Sequence, residues 1–101
     1  MNEPVSQPVP VEYKHTLHVE PDALDVFGYL GHTLRAITNT SGRAIDIVLC
    51  LEPDTPEHVT LGRDESIPLD IDAWECIRQR FMPYIVSKEP QTVSVRVDWI
   101  V

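Results

Sequence analysis

Residues 92–99, T-V-S-V-R-V-D-W, alternate without a break: Val93, Val95, Val97 and Trp99 fall on one side, Ser94, Arg96 and Asp98 on the other. A side-chain period of two belongs to a strand with one face in a core and one in water. This predicts a half-buried final strand, and much of the chain repeats the theme. Val11 to Val19 puts Val11, Tyr13, His15, Leu17 and Val19 on one side. Glu20-Pro21-Asp22 stops it, because proline has no N–H for a ladder. Ala23 to His32 predicts a short strand and a glycine turn. A helix from Ala23 to Ile37 is the rival, and it would carry Gly28 and Gly31 in its interior at about 1 kcal/mol each relative to alanine.

Thr33 to Thr40 predicts another strand, closed by N-T-S-G, where Asn39 and Ser41 can bond the local backbone and Gly42 can take positive φ. Arg43 to Leu51, R-A-I-D-I-V-L-C-L, is nearly continuous in apolar residues and predicts burial on both faces. A proline-rich break at 52–56 follows, then the strand H-V-T-L, the turn G-R-D-E and the strand S-I-P-L-D-I. Pro68 within that last strand places it at a sheet edge.

The period then changes. Asp72 is a good N-cap, with Glu75 three residues on as a capping box asks. Trp74, Ile77, Phe81 and Ile85 recur at helical spacing, while Glu75, Arg78 and Gln79 face away. The pattern predicts one short helix near residues 72–82, ended by Pro83. Trp74, Ile77 and Phe81 are expected to cover one face of the sheet and seal the core.

The expectation is a mainly β chain: a small antiparallel β-sandwich or partly open barrel with one short helix. With 101 residues and 43% apolar content the chain supports one domain, residues 11–101, with one modest core. Residues 1–10 hold Pro4, Pro8 and Pro10 and no periodicity, which predicts an extended proline-rich arm. Pro4, Val5, Pro8, Val9 and Pro10 are its candidate partner-binding residues.

Acidic residues outnumber basic ones 16 to 8, a net charge of −8, which argues against nucleic acid or an anionic membrane as partner. No apolar run approaches the roughly 20 residues of a membrane helix, and the N-terminal residues lack a signal-peptide pattern. A cytoplasmic site of synthesis follows as an expectation. Cys50 and Cys76 are expected to be buried, reduced thiols.

Candidate chemistry is sparse. His15 and His18, three apart on a strand, point to opposite faces and cannot share a metal ion. Neither His32 nor His58 has a ligand-spaced Cys or carboxylate. Asp64, Glu65, Asp70 and Asp72 form an acidic cluster without the Asp-x-Asp-x-Asp-Gly pattern of a calcium loop. No nucleophile elbow or phosphate loop is present. The residues point to a non-enzymatic chain with no cofactor and no metal.

Two resemblances add to this. V-F-G-Y-L-G-H-T-L-R-A-I, Val26 to Ile37, resembles the G-x-x-G loop of KH domains, which implies an α+β fold that clamps RNA phosphates. Tyr29 and Leu30 stand where basic residues would sit. Over a longer span, roughly Leu34 to Val97, the order of elements is similar to small β-rich accessory proteins of tailed phages and prophages. It runs from N-T-S-G-R-A-I-D-I-V-L-C-L-E-P to E-H-V-T-L-G-R-D-E-S-I-P-L-D-I-D-A-W-E-C-I-R, then a final strand. Arg63-Asp64 departs from the Pro-Gly that this pattern prefers in its turn.

The second resemblance implies a virion part, made in the host cytoplasm: a capsid decoration or connector-associated subunit. Its partner would be a capsid or connector protein, with the chain present as a homo-oligomer or in many symmetric copies. The alternative is an acidic inhibitor or immunity-type protein that blocks a basic site on an enzyme.

Overall fold

The structure, a computed structural model, describes residues 11–26 and 33–100. Among them, eight strands and one helix follow in order: β1 Glu12–Val19, β2 Leu24–Val26, β3 Thr33–Asn39, β4 Ile45–Cys50, β5 Pro56–Leu61, β6 Ser66–Asp72, α1 Ala73–Gln79, β7 Tyr84–Ser87 and β8 Val93–Ile100. They form two four-stranded antiparallel sheets, one ordered β1-β8-β3-β6 and the other β2-β7-β4-β5. Every connection except β4–β5 crosses from one sheet to the other. The first strand pairs with the last, the second with the seventh, the third with the sixth and the fourth with the fifth. That nesting is the connectivity of an eight-stranded jelly roll, a form of β-sandwich.

The core lies between the sheets. Val93, Val95, Val97 and Trp99 of β8 are buried, as their alternation predicts, and meet Ile45, Ile47 and Leu49 of β4 and Ile85 of β7. Each such side chain contributes about 1.5–3 kcal/mol by leaving water. The buried face of β4 continues outward: Val48 and Cys50 lie on the opposite side from Ile47 and Leu49, yet both are buried. Val48 sits in a cross-strand row between Val86 and His58, and Cys50 between Tyr84 and Pro56. These neighbours cover them on the outer face of the sheet, so the apolar run of β4 is covered on both sides.

β6 is an edge strand, as Pro68 predicts. Opposite it, the register shifts between Leu34 and Ala36 of β3. On β1 the expected face is present, but only Leu17 and Val19 are covered, while Val11, Tyr13 and His15 are exposed. The edge strand of the facing sheet on this side, β2, is only three residues long and leaves the start of β1 uncovered.

The two ends of the sandwich differ. At one end, the turns at 20–23, 40–44, 62–65 and 88–92 are tied together by polar groups. Asn39 bonds the local backbone as predicted, whereas the Ser41 hydroxyl reaches the Ser94 backbone across the sheet instead, and Gly42 takes φ 78°. Asp64 takes φ 59° in the Gly62–Glu65 turn, closed by the Glu65 N–H to the Gly62 carbonyl at 3.1 Å. Aspartate tolerates that left-handed conformation, so the turn forms without Pro-Gly. At the other end, β1 begins, β8 ends, β2 ends, β3 begins, and α1 bridges β6 to β7.

Two expectations fail here. The KH-like α+β reading requires a helix after the G-x-x-G loop. Gly28 to Gly31 lie outside the described residues, but Leu24–Val26 and Thr33–Asn39 are both strands of antiparallel sheets. The helical rival for Ala23 to Ile37 fails with it. The helix near 72–82 exists but is shorter, and its apolar stripe does not seal the core.

Candidate docking surface at the helix end

Asp72 caps α1 as predicted, its carboxylate accepting the Trp74 N–H at 2.9 Å. The capping box is incomplete: Glu75 reaches forward to Arg78 and Gln79 instead of back to the cap. Helix termination comes early. Arg80 adopts the left-handed region at φ 54° and ψ 41°, and its N–H bonds the Ile77 carbonyl. The Phe81 N–H closes on the Cys76 carbonyl at 2.9 Å, a Schellman-type ending three residues before Pro83.

The early stop overturns the expected role of the stripe. Phe81 is half-buried beyond the helix, and Ile85 belongs to β7. Of the helix residues, Cys76 faces the sandwich and is buried, while Trp74 is 63% exposed and Ile77 37%. The physical reason is that the inner faces of the two sheets already fill the core. A two-layer sandwich closes without a third layer, so α1 spans the end of the molecule and leaves Trp74 and Ile77 in water.

On the other flank of α1, and lined by neither Trp74 nor Ile77, lies a shallow groove floored by Leu51, Ile71 and Cys76 and rimmed by Glu52, Asp70 and Glu75. Burial, then the charge of Asp72, push the Cys76 thiol above its ordinary range, with Glu75 adding to the effect. The thiol therefore stays protonated at neutral pH and is a poor nucleophile. Cys50 is also buried, and its thiol donates to the Glu52 carbonyl at 3.1 Å. Two further exposed apolar side chains, Leu24 at 58% and Val26 at 47%, stand on the outer face of the second sheet, next to Val86 and Tyr84.

The residues singled out by sequence are dispersed. Pro4, Val5, Pro8, Val9 and Pro10 lie outside the described residues, as does His32. His15 and His18 are exposed on opposite faces of β1, and His58 is on the outer face of β5. The acidic cluster splits: Asp64 and Glu65 sit in the β5–β6 turn, at the far end of the molecule from Asp70 and Asp72. Asp70 instead joins Glu52 and Glu75 at the groove. Among the described residues no three His, Cys, Asp or Glu side chains are grouped to hold a metal ion, and no helix is long and apolar enough to cross a membrane.

What the arrangement can do is bind. A capped helix holds a large aromatic and a branched aliphatic side chain in water on one flank and borders a carboxylate-rimmed groove on the other. Tryptophan is among the residues that carry most energy when an interface closes over them, and carboxylates at the rim select a basic partner. Sequence reasoning missed the exposure of Trp74 and Ile77. One signal could have found it: the strands alone supply enough inward apolar positions for a two-layer core. The chain matches no protein-family model and no curated protein.

Proposed function

We propose that this chain is a non-enzymatic assembly subunit: a virion accessory protein of a tailed phage or prophage, decorating a capsid or joining its connector. The observation that carries the docking role is the exposure of Trp74 and Ile77 on a capped helix whose other flank borders the groove rimmed by Glu52, Asp70 and Glu75. The partner surface then offers an apolar socket for Trp74 and basic side chains for the groove, as a capsid or connector protein can. Jelly rolls serve in viral capsids, and also in lectins and cupins, so connectivity supports the virion reading only by analogy. The choice of phage accessory proteins within that analogy rests on the sequence resemblance over roughly Leu34 to Val97. Pro4, Val5, Pro8, Val9 and Pro10 are proposed as a second contact, an arm whose prolines reduce the entropy lost on docking.

The same carboxylates favour a second reading, an inhibitor that blocks a basic site on one enzyme. Stoichiometry separates the two. Mass spectrometry of particles purified from the source organism is expected to find the chain in many copies per particle. Purified protein added back to stripped particles should co-sediment, and Trp74→Ala should lose most of that binding while remaining folded. Absence from the particles, with tight one-to-one capture of a single enzyme, would favour the inhibitor.

A further inference from the structure

Two shallow hollows meet between β5 and β6, at the end of the sandwich that carries α1. One is the groove on the flank of α1, with a volume of about 180 Å³. The other, of about 160 Å³, is lined by Leu51, Glu52, Thr55, Glu57 and Ile71. Leu51, Glu52 and Ile71 line both, so the two form one trough from α1 to the start of β5. Its floor is apolar. Leu51 and Ile71 pack against the core from one side and stay only half-buried, and Cys76 extends the floor towards the helix. Each hollow is smaller than the roughly 300–1,000 Å³ of a small-molecule pocket. Each therefore suits a side chain rather than a cofactor.

The walls carry one sign of charge. Glu52, Glu57, Asp70, Asp72 and Glu75 line the trough, and no lysine or arginine does. Two of these carboxylates are engaged: Asp72 caps α1, and Glu75 bonds Arg78 and Gln79. Glu52, Glu57 and Asp70 are exposed and enter none of the ion pairs among the described residues.

We infer that the trough takes a short linear segment of a protein partner in which one aliphatic side chain is flanked by arginines. The inference deepens the docking reading above and rests on it, and it gives the groove an occupant separate from the socket that receives Trp74. The aliphatic side chain settles on Leu51 and Ile71, where the hollows join, and both surfaces leave water. The arginine stems lie along the same floor while their guanidinium groups reach Glu52, Glu57 and Asp70. Arginine fits better than lysine, because its planar fork can engage a carboxylate with two bonds. A second copy of this chain, with its own net charge of −8, would bring like charge to the trough. A polyamine would match the walls but leave the floor in water.

The test uses the isolated full chain and a fluorescent peptide with one leucine between two pairs of arginines, read by anisotropy. Saturable binding is expected, weakening as salt rises. Glu52→Lys and Asp70→Lys should each weaken it about tenfold. Glu12→Lys makes the same charge change at the start of β1, the strand farthest from β6 in its sheet, and should leave binding within about twofold. A peptide with serine in place of leucine should bind about tenfold more weakly, because the floor loses its partner. Glu12, Glu52 and Asp70 are exposed, and thermal melts of the variants should match the parent. No binding would overturn the inference. So would equal weakening by Glu12→Lys or equal binding of the serine peptide, because net charge alone would then hold the peptide. The two readings fail separately. A chain that ignores the peptide but needs Trp74 to co-sediment with particles loses the trough and keeps the docking role of α1. A chain that binds the peptide but does not co-sediment keeps the trough and loses the particle.

Discussion

Asn39 has no exposed surface, and its amide is fully engaged. Its Nδ2 donates to the carbonyls of Arg43 at 2.6 Å, Gly62 at 2.9 Å and Leu61 at 3.1 Å, while its Oδ1 accepts the Ser41 N–H at 2.9 Å. One side chain therefore joins the β3–β4 turn to the β5–β6 turn across the two sheets. Replacing it with alanine strands buried carbonyls with no donor, so Asn39→Ala is expected to cost about 2–4 kcal/mol in urea unfolding. Thr40→Ala, at an exposed neighbour, should cost under about 0.5 kcal/mol. Equal small losses would mean that water replaces the amide without penalty. The local half of this role was legible in N-T-S-G, since asparagine before a glycine turn bonds its own backbone. The inter-sheet half was not, because Leu61 and Gly62 are more than 20 residues away in sequence.

At the scale of elements, α1 shows how a correct local pattern can be assigned the wrong partner. Asp72 marks its start, and a helix is present, but the stripe of Trp74, Ile77, Phe81 and Ile85 counted on a helix that reached Met82. Arg80 ends it first, in a left-handed conformation that glycine adopts at least cost. Arg80→Gly should therefore stabilise the domain by about 0.5–1 kcal/mol, read as a higher urea midpoint. A loss of stability would show that the Arg80 side chain holds the end of the helix by contacts worth more than the backbone strain. Strands were more legible than the helix. The alternation of β8 and the proline of β6 gave their burial and position directly, because a two-residue period needs no knowledge of where the element stops.

Across the whole molecule, pairing was the part hidden from sequence. Only β4 and β5 are both consecutive and paired; every other partnership joins strands separated by at least two others. No local signal distinguishes that nesting from another sandwich order. Once the sheets are nested, the molecule has a polar end closed by Asn39, Ser41 and Ser94 and an end that carries Trp74 and Ile77. The candidate docking surface emerges only from this arrangement, since the same residues in a third layer would be core.

The claim at the centre of this account is that two sheets complete the fold and leave the apolar side chains of α1 for a partner. Equilibrium urea unfolding of the double variant Trp74→Ala/Ile77→Ala tests it most directly. Side chains standing in water contribute little to folding, so the loss of stability should stay below about 1 kcal/mol with an unchanged dependence on urea. A loss of about 3–5 kcal/mol, the range for truncating a buried aromatic, would place Trp74 in the core and contradict the account.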